Sequence, residues 1–213
     1  FQSKGVLSAI EKYQASRFLG VPTMYLAILN LETAASFDLS SLRPSRTSAA
    51  ALPKAVKEAF ANLVGRDLLI EGYGLTETSP LTHANPVHRA RAGSIGVPLP
   101  NTDARIVDQE EGTRVLSTGE VGELVVRGPQ VMRGYWNKPE ETTAVLRDGW
   151  LYTGDLASMD DDGYFRVVDR KKEVINAAGF KVWPREVEEV LYQHPQVRGA
   201  AVVGVPDSYR GET

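Results

Sequence analysis

The texture of the chain changes near Gly93, and this change does most to limit what it can fold into. Upstream, short apolar runs alternate with segments of helical spacing. Residues Val6 to Phe18 put Leu7, Ile10, Tyr13 and Ala15 on or near one helix face. Phe18 to Val21 is a strand-like run stopped by Pro22, and Thr23 reads as the N-cap of a helix reaching Leu29. Arg46 to Ala51 predicts a short strand. Pro53 opens a helix to Leu63, with Val56, Phe60 and Leu63 facing inward. Leu68-Leu69-Ile70 predicts a buried strand that Gly72-Tyr73-Gly74 breaks. This alternation argues for α/β layers.

Downstream of Gly93, short strands are separated by Gly, Pro and Asp turns. They are predicted over Ala104 to Val107, Gly122 to Arg127, Trp150 to Leu156 and Tyr164 to Val168, with a hairpin turn at Asp160-Asp161-Asp162-Gly163. That acidic run lacks the remaining ligands of a calcium loop. Further on, Val174-Ile175 and Phe180 to Val182 read as strands flanking Ala178-Gly179. Pro184 opens a helix to Tyr192 with Val187, Val190 and Leu191 inward, and Ala200 to Val205 is an apolar strand. The expected fold class is α/β, then a β-rich subdomain, then a partial α+β unit, divided as residues 1–100, 101–169 and 170–213. Phe1-Gln2-Ser3 resembles the remnant of a cleaved purification tag, which would start the natural sequence near Lys4, so that those three residues say nothing of the natural fold.

Composition excludes several classes of function. A net charge of −3 argues against a general electrostatic grip on nucleic acid. With no cysteine there is no disulfide framework and no thiolate metal site. His83, His88 and His194 lack metal-ligand spacing and read as solvated or turn residues. No apolar run approaches the roughly 20 residues that span a bilayer, so no transmembrane segment is expected. A reduced, cytoplasmic setting follows, compatible with peripheral contact at a membrane.

The segment Glu71-Gly72-Tyr73-Gly74-Leu75-Thr76-Glu77-Thr78-Ser79-Pro80 carries the most chemistry. It follows a buried strand, and ligands collect at strand ends in α/β sheets. Its glycines permit close backbone approach, Tyr73 offers a face for stacking, Thr76 a hydroxyl, and Glu77 a hard oxygen suited to magnesium. From spacing alone, a plain Gly-rich turn is the better account of the segment. The segment resembles the adenylation signature of the adenylate-forming (acyl-activating) enzyme superfamily. Four further stretches match in order. Gly122 to Gly128, leading to Gly134-Tyr135-Trp136, is similar to the family's central β segment, and Trp150 to Asp155 to its ribose-binding motif. Asp169 to Ile175 is similar to its hinge motif, and Gly179 to Glu189 to the start of its mobile C-terminal domain.

The resemblance implies the C-terminal part of a large adenylating domain and the start of the small mobile domain. It implies ATP, Mg2+ and CoA as cofactors, and formation of acyl-AMP followed by an acyl-CoA thioester. It places Tyr73 and Gly74 at the adenine pocket, and Thr76 at the α-phosphate and acyl carbonyl. Glu77 falls on magnesium, Asp155 and Arg170 on the ribose, Lys172 at the hinge, and Gly179 at the thiol tunnel. Ala178 stands where the family commonly has glycine, and Ala49-Ala50-Ala51 replaces a more glycine-rich adenine-contact segment. Glu71 to Pro80, Gly20 to Tyr25 and Phe180 to Glu186 look most like fatty acyl–CoA ligases, which implies a carboxylic, fatty, substrate.

The family's Ser/Thr/Gly-rich phosphate loop and its C-terminal catalytic lysine do not occur in these residues. The chain alone is therefore expected to be catalytically incomplete, to expose apolar surface and sheet edges, and to self-associate. Three readings stay open: an acyl–CoA ligase, an adenylating module that hands its acyl group to a carrier protein, and a non-catalytic structural fragment.

Overall fold

The computed structural model describes residues 1–48, 50, 52–194, 196–197 and 199–213. The first third is helical. The helices α1 (Ser3–Tyr13), α2 (Pro22–Leu29) and α3 (Lys54–Val64) surround the short strand β1 (Ser45–Thr47) and the base of β2 (Leu69–Gly74). Leu7, Ile10, Tyr25, Ile28, Val56, Phe60 and Leu69 form their shared core. Tyr25 is fully buried, and its phenol donates to Phe18 O at 2.9 Å. Burial pushes that phenol up to about 12.

β1 runs parallel to β2, whose far end pairs antiparallel with β3 (Leu81–Ala84); β4 (Val97–Pro98) adds to β3. A second sheet is antiparallel: β5 (Asp103–Val107), β6 (Gly122–Arg127), β7 (Leu146–Arg147), β8 (Trp150–Met159) and β9 (Phe165–Arg170), in the order β5-β6-β8-β7 with β9 also on β8. The helix α4 (Pro139–Val145) precedes β7. Ile95, Ile106, Leu124, Val126, Leu151 and Phe165 form a second core, against which Tyr73 and Leu75 pack. β2 thus starts in one core and ends on the other. A third sheet joins β10 (Ile175–Ala177), β11 (Phe180–Val182), β12 (Pro206–Asp207) and β13 (Gly211–Glu212), with α5 (Pro184–Tyr192) after β11. The fold is α/β with a β-rich middle and a small α+β end.

Several elements differ from what the sequence predicts. α1 begins at Ser3 with Gln2 as its N-cap, and the Phe1 ring stacks on Phe18 at 6.5 Å. Tyr13 is exposed. Phe18 to Val21 makes one bridge, Gly20 to Thr47, and no strand. Val21, not Thr23, caps α2, because Pro22 takes the first helical position, where its missing N–H costs nothing. β2 is not broken at Gly72: ladder bonds from β1 and β3 carry it through Gly74. Val187, Val190 and Leu191 are exposed, Val190 at 64%. Ala200 to Val205 forms no strand. Instead Val205 exchanges both backbone bonds with Thr213 at 2.9 Å, at the base of the β12–β13 hairpin. His83 is fully buried in β3, between the rings of Tyr73 (5.9 Å) and Phe165 (4.7 Å). Ala49 and Ala51 lie outside the described residues.

Candidate active site

Against β3, the register of β2 shifts between Tyr73 and Gly74. A Cβ on Gly74 would sit 1.6 Å from Pro80 O, so no other residue fits there without backbone movement. The single 3-10 turn Thr76–Thr78 follows. Buried Thr78 closes it: its hydroxyl accepts the Leu75 N–H at 2.9 Å and donates to Pro80 O at 2.8 Å. This leaves Thr76 exposed and Glu77 half-buried, on a turn held by its neighbour.

Register brings Asp155 of β8 opposite Arg170 of β9. Asp155 is 6% exposed and accepts the Tyr73 phenol at 2.5 Å; Arg170 Nε stands 3.6 Å from its other oxygen. Burial pushes the Asp155 carboxyl above the usual range, against the pull of Tyr73 and Arg170. Burial first, then the Asp155 charge, pushes the Tyr73 phenol well up. Behind this pair, buried Glu123 of β6 accepts the Gly154 N–H at 3.1 Å and the Lys171 ammonium at 2.9 Å, gripping the neighbours of both Asp155 and Arg170. Asp169 accepts the N–H of Arg170 at 2.8 Å and of Arg185 at 3.2 Å, which ties the start of α5 to β9.

These residues wall a cavity of about 470 Å³, lined by Tyr73, Gly74, Asp155 and Arg170 together with Glu71 and Arg185 among others. Burial raises the Glu71 carboxyl, and the Gly93 N–H donates to it at 3.1 Å. Four of the residues singled out in the sequence are thus together, although Tyr73 and Asp155 are 82 residues apart. Thr76, Glu77, Lys172 and Gly179 do not line the cavity. Lys172 is exposed on the turn after β9. Ala178 and Gly179 form the β10–β11 turn, both left-handed at φ 53° and 85°. Ala178 bears a strain there that glycine would not. Sequence reasoning passed over Asp169 and Arg185, whose only signal was their place beside the hinge and helix motifs. It also assigned no role to Tyr135, which donates to Glu77 from 58 residues away.

A cavity lined by an aromatic ring and a buried carboxylate offers a face for stacking and an acceptor for hydroxyl groups. The sequence profile of the AMP-binding enzyme family matches residues 1–136. The chain belongs to this family. The profile of the AMP-binding enzyme C-terminal domain matches residues 186–213. The long-chain-fatty-acid–CoA ligase of Bacillus subtilis is 50% identical over 214 residues, covering 100% of this chain and 38% of the relative. Among solved structures, the anthranilate CoA ligase AuaEII in complex with anthranoyl-AMP superposes with a TM-score of 0.90 at 35% identity, covering 99% of this chain and 40% of that one. ATP-bound MatB from Rhodopseudomonas palustris gives 0.89 at 32% identity, covering 100% and 42%. The chain therefore spans about two-fifths of the length of these relatives.

Among the described residues no group of three or more His, Cys, Asp or Glu could hold an ion. Magnesium does not need one: it is commonly held by one or two carboxylates, with substrate phosphates and water completing the octahedron. Glu77 as a single hard ligand fits that pattern. Among the described residues no helix is long and apolar enough to cross a membrane.

Proposed function

We infer that the whole protein activates a fatty carboxylic acid with ATP and passes the acyl group to CoA, giving acyl-CoA, AMP and pyrophosphate. The observation that carries this reading is the buried Asp155 carboxylate. It faces a nucleoside-sized cavity beside Tyr73, in a chain half identical to a long-chain-fatty-acid–CoA ligase. A carboxylate cannot expel an oxide. Its oxygen therefore attacks the α-phosphorus of ATP, the bond from that phosphorus to the bridging oxygen breaks, and pyrophosphate leaves with the electron pair. The CoA sulfur then attacks the acyl carbon as a thiolate, its proton having gone to solvent, and AMP departs.

The protein's part is positioning and charge stabilisation. The Tyr73 ring and Gly74 backbone line the adenine side. Asp155 accepts the ribose hydroxyls, with Arg170 beside it. The exposed Thr76 hydroxyl is the donor for the α-phosphate and acyl carbonyl. Glu77 would hold magnesium, which when bound offsets charge on the phosphates. Lys172 is the hinge between an adenylating and a thioester-forming pose, and Gly179 lies on the thiol path. The same reading divides the chain at residues 100 and 169.

The test is pyrophosphate exchange by the whole protein with octanoate and palmitate, followed by transfer of radiolabelled acyl group to CoA or to a carrier protein. Exchange together with CoA thioester is expected, and none from the 213-residue chain alone. Transfer to a carrier only would replace this reading with the carrier-loading one. Absence of exchange by the whole protein with any carboxylate would end it.

A further inference from the structure

The turn that carries Glu77 is gripped twice from the same loop. Glu77 O accepts the Met132 N–H at 2.7 Å, and Glu77 Oε1 accepts the Tyr135 phenol at 2.7 Å. The first bond already ties the loop to the turn. The second acts on the carboxylate alone. Oε2 has no hydrogen-bond partner among the described residues.

Tyr135 is itself braced. Its N–H donates to Thr142 Oγ1 at 2.9 Å, and that hydroxyl donates to Lys138 O at 2.7 Å at the start of α4. Gly134 lets the loop pass this close: it has φ 151°, and a Cβ there would meet Thr142 Cγ2 at 2.8 Å. A half-buried carboxylate facing water needs no such donor for its own stability, because water would serve. What a fixed donor adds is direction.

We propose that Tyr135 is a positioning residue for the metal, holding the Glu77 carboxylate by Oε1 so that Oε2 meets magnesium as a single oriented ligand. This rests on the functional reading above. Magnesium demands near-ideal octahedral geometry, so a ligand free to rotate binds it less well. Hydrogen-bond partners of metal-ligating groups are typically worth about 10–100-fold in metal affinity.

The experiment uses the whole protein as wild type, Tyr135→Phe and Thr142→Val. Mn2+ binding to the protein–ATP complex is read by electron paramagnetic resonance. The magnesium dependence of pyrophosphate exchange is read at saturating ATP, and a thermal melt is run for each variant. Tyr135→Phe should weaken Mn2+ binding about 10-fold and raise half-saturating Mg2+ by the same factor. Exchange should recover at high Mg2+. Thr142→Val, which loosens the brace without touching Glu77, should shift both in the same direction by less. Mn2+ affinity within twofold of wild type in Tyr135→Phe overturns the proposal. So does a loss of exchange that no Mg2+ concentration restores, which would make Tyr135 a plain structural tether. A wild-type protein without Mg2+-dependent exchange overturns the functional reading as well, which separates the two failures.

Discussion

Asp155→Asn keeps the shape of the side chain and an acceptor for the Tyr73 phenol, but removes the charge. The Asp155 carboxyl titrates above its ordinary value of 3.8 because burial disfavours the anion. The folded state therefore holds this proton more tightly than the unfolded chain. The stabilising effect of the proton is complete below 3.8 and is lost as pH rises through the folded value. At neutral pH the anion is a cost that asparagine does not carry. What asparagine gives up is the pairing with half-exposed Arg170, worth about 0–1 kcal/mol after solvent screening. Asp155→Asn should accordingly melt at, or slightly above, the wild-type temperature. Asp155→Ala leaves the Tyr73 phenol buried without its acceptor, which costs about 1–3 kcal/mol. For a chain of this size that is roughly 2–12 °C in Tm. Nucleotide binding should move differently. Both variants lose the charged acceptor proposed for the ribose, about 1.5–3 kcal/mol, so AMP should bind roughly 10–150-fold more weakly to each in the whole protein. Melts of the 213-residue chain at pH 7.5 and calorimetric titration of the whole protein with AMP read the two effects separately. If Asp155→Asn is destabilised as much as Asp155→Ala, the burial argument is wrong. AMP affinity within twofold of wild type removes Asp155 from the site.

His83 is buried neutral, its pKa pushed down to about 3 from 6.5 by burial. The unfolded chain takes up this proton first, so stability is full above 6.5 and falls as pH drops towards 3, by at most about 1.4 kcal/mol per pH unit. His83→Phe, which keeps a ring between Tyr73 and Phe165, should flatten that acid limb in urea melts between pH 4.5 and 7; an unchanged slope would assign the acid sensitivity elsewhere. Gly74→Ala forces a Cβ against Pro80 O, and should cost about 3 kcal/mol or more, or prevent folding; a loss under about 1 kcal/mol in urea denaturation would contradict the packing described. Lys172→Pro fixes φ near −65° at the proposed hinge. In the whole protein it should damage thioester formation from pre-formed acyl-AMP far more than pyrophosphate exchange. Equal losses with a lowered melting temperature would indicate misfolding.

Local chemistry wrote part of this fold directly into the chain. Pro184 starts a helix that ends at Tyr192, and Asp160 to Gly163 turns β8 into β9, because each is decided by a few adjacent residues. Tyr73, Gly74, Asp155 and Arg170, which the fold brings around one cavity, were each singled out by motif order alone. Partnership was not. Gly72 to Gly74 look like a strand breaker in sequence, yet they lie in β2 because β1 and β3 supply ladder bonds from remote parts of the chain. His83 has the composition of a surface turn residue until Tyr73 and Phe165 close over it. Val187 and Val190 have core spacing yet stand exposed among the described residues, since a helix face specifies only that it can be buried, not against what. The Tyr73–Asp155 and Tyr135–Glu77 bonds join residues 82 and 58 positions apart. Residue identity and short-range spacing determined which groups the site could use. Strand register and loop packing decided which of them meet, because hydrogen bonds and desolvation act at contact distance, and only the folded chain sets those distances.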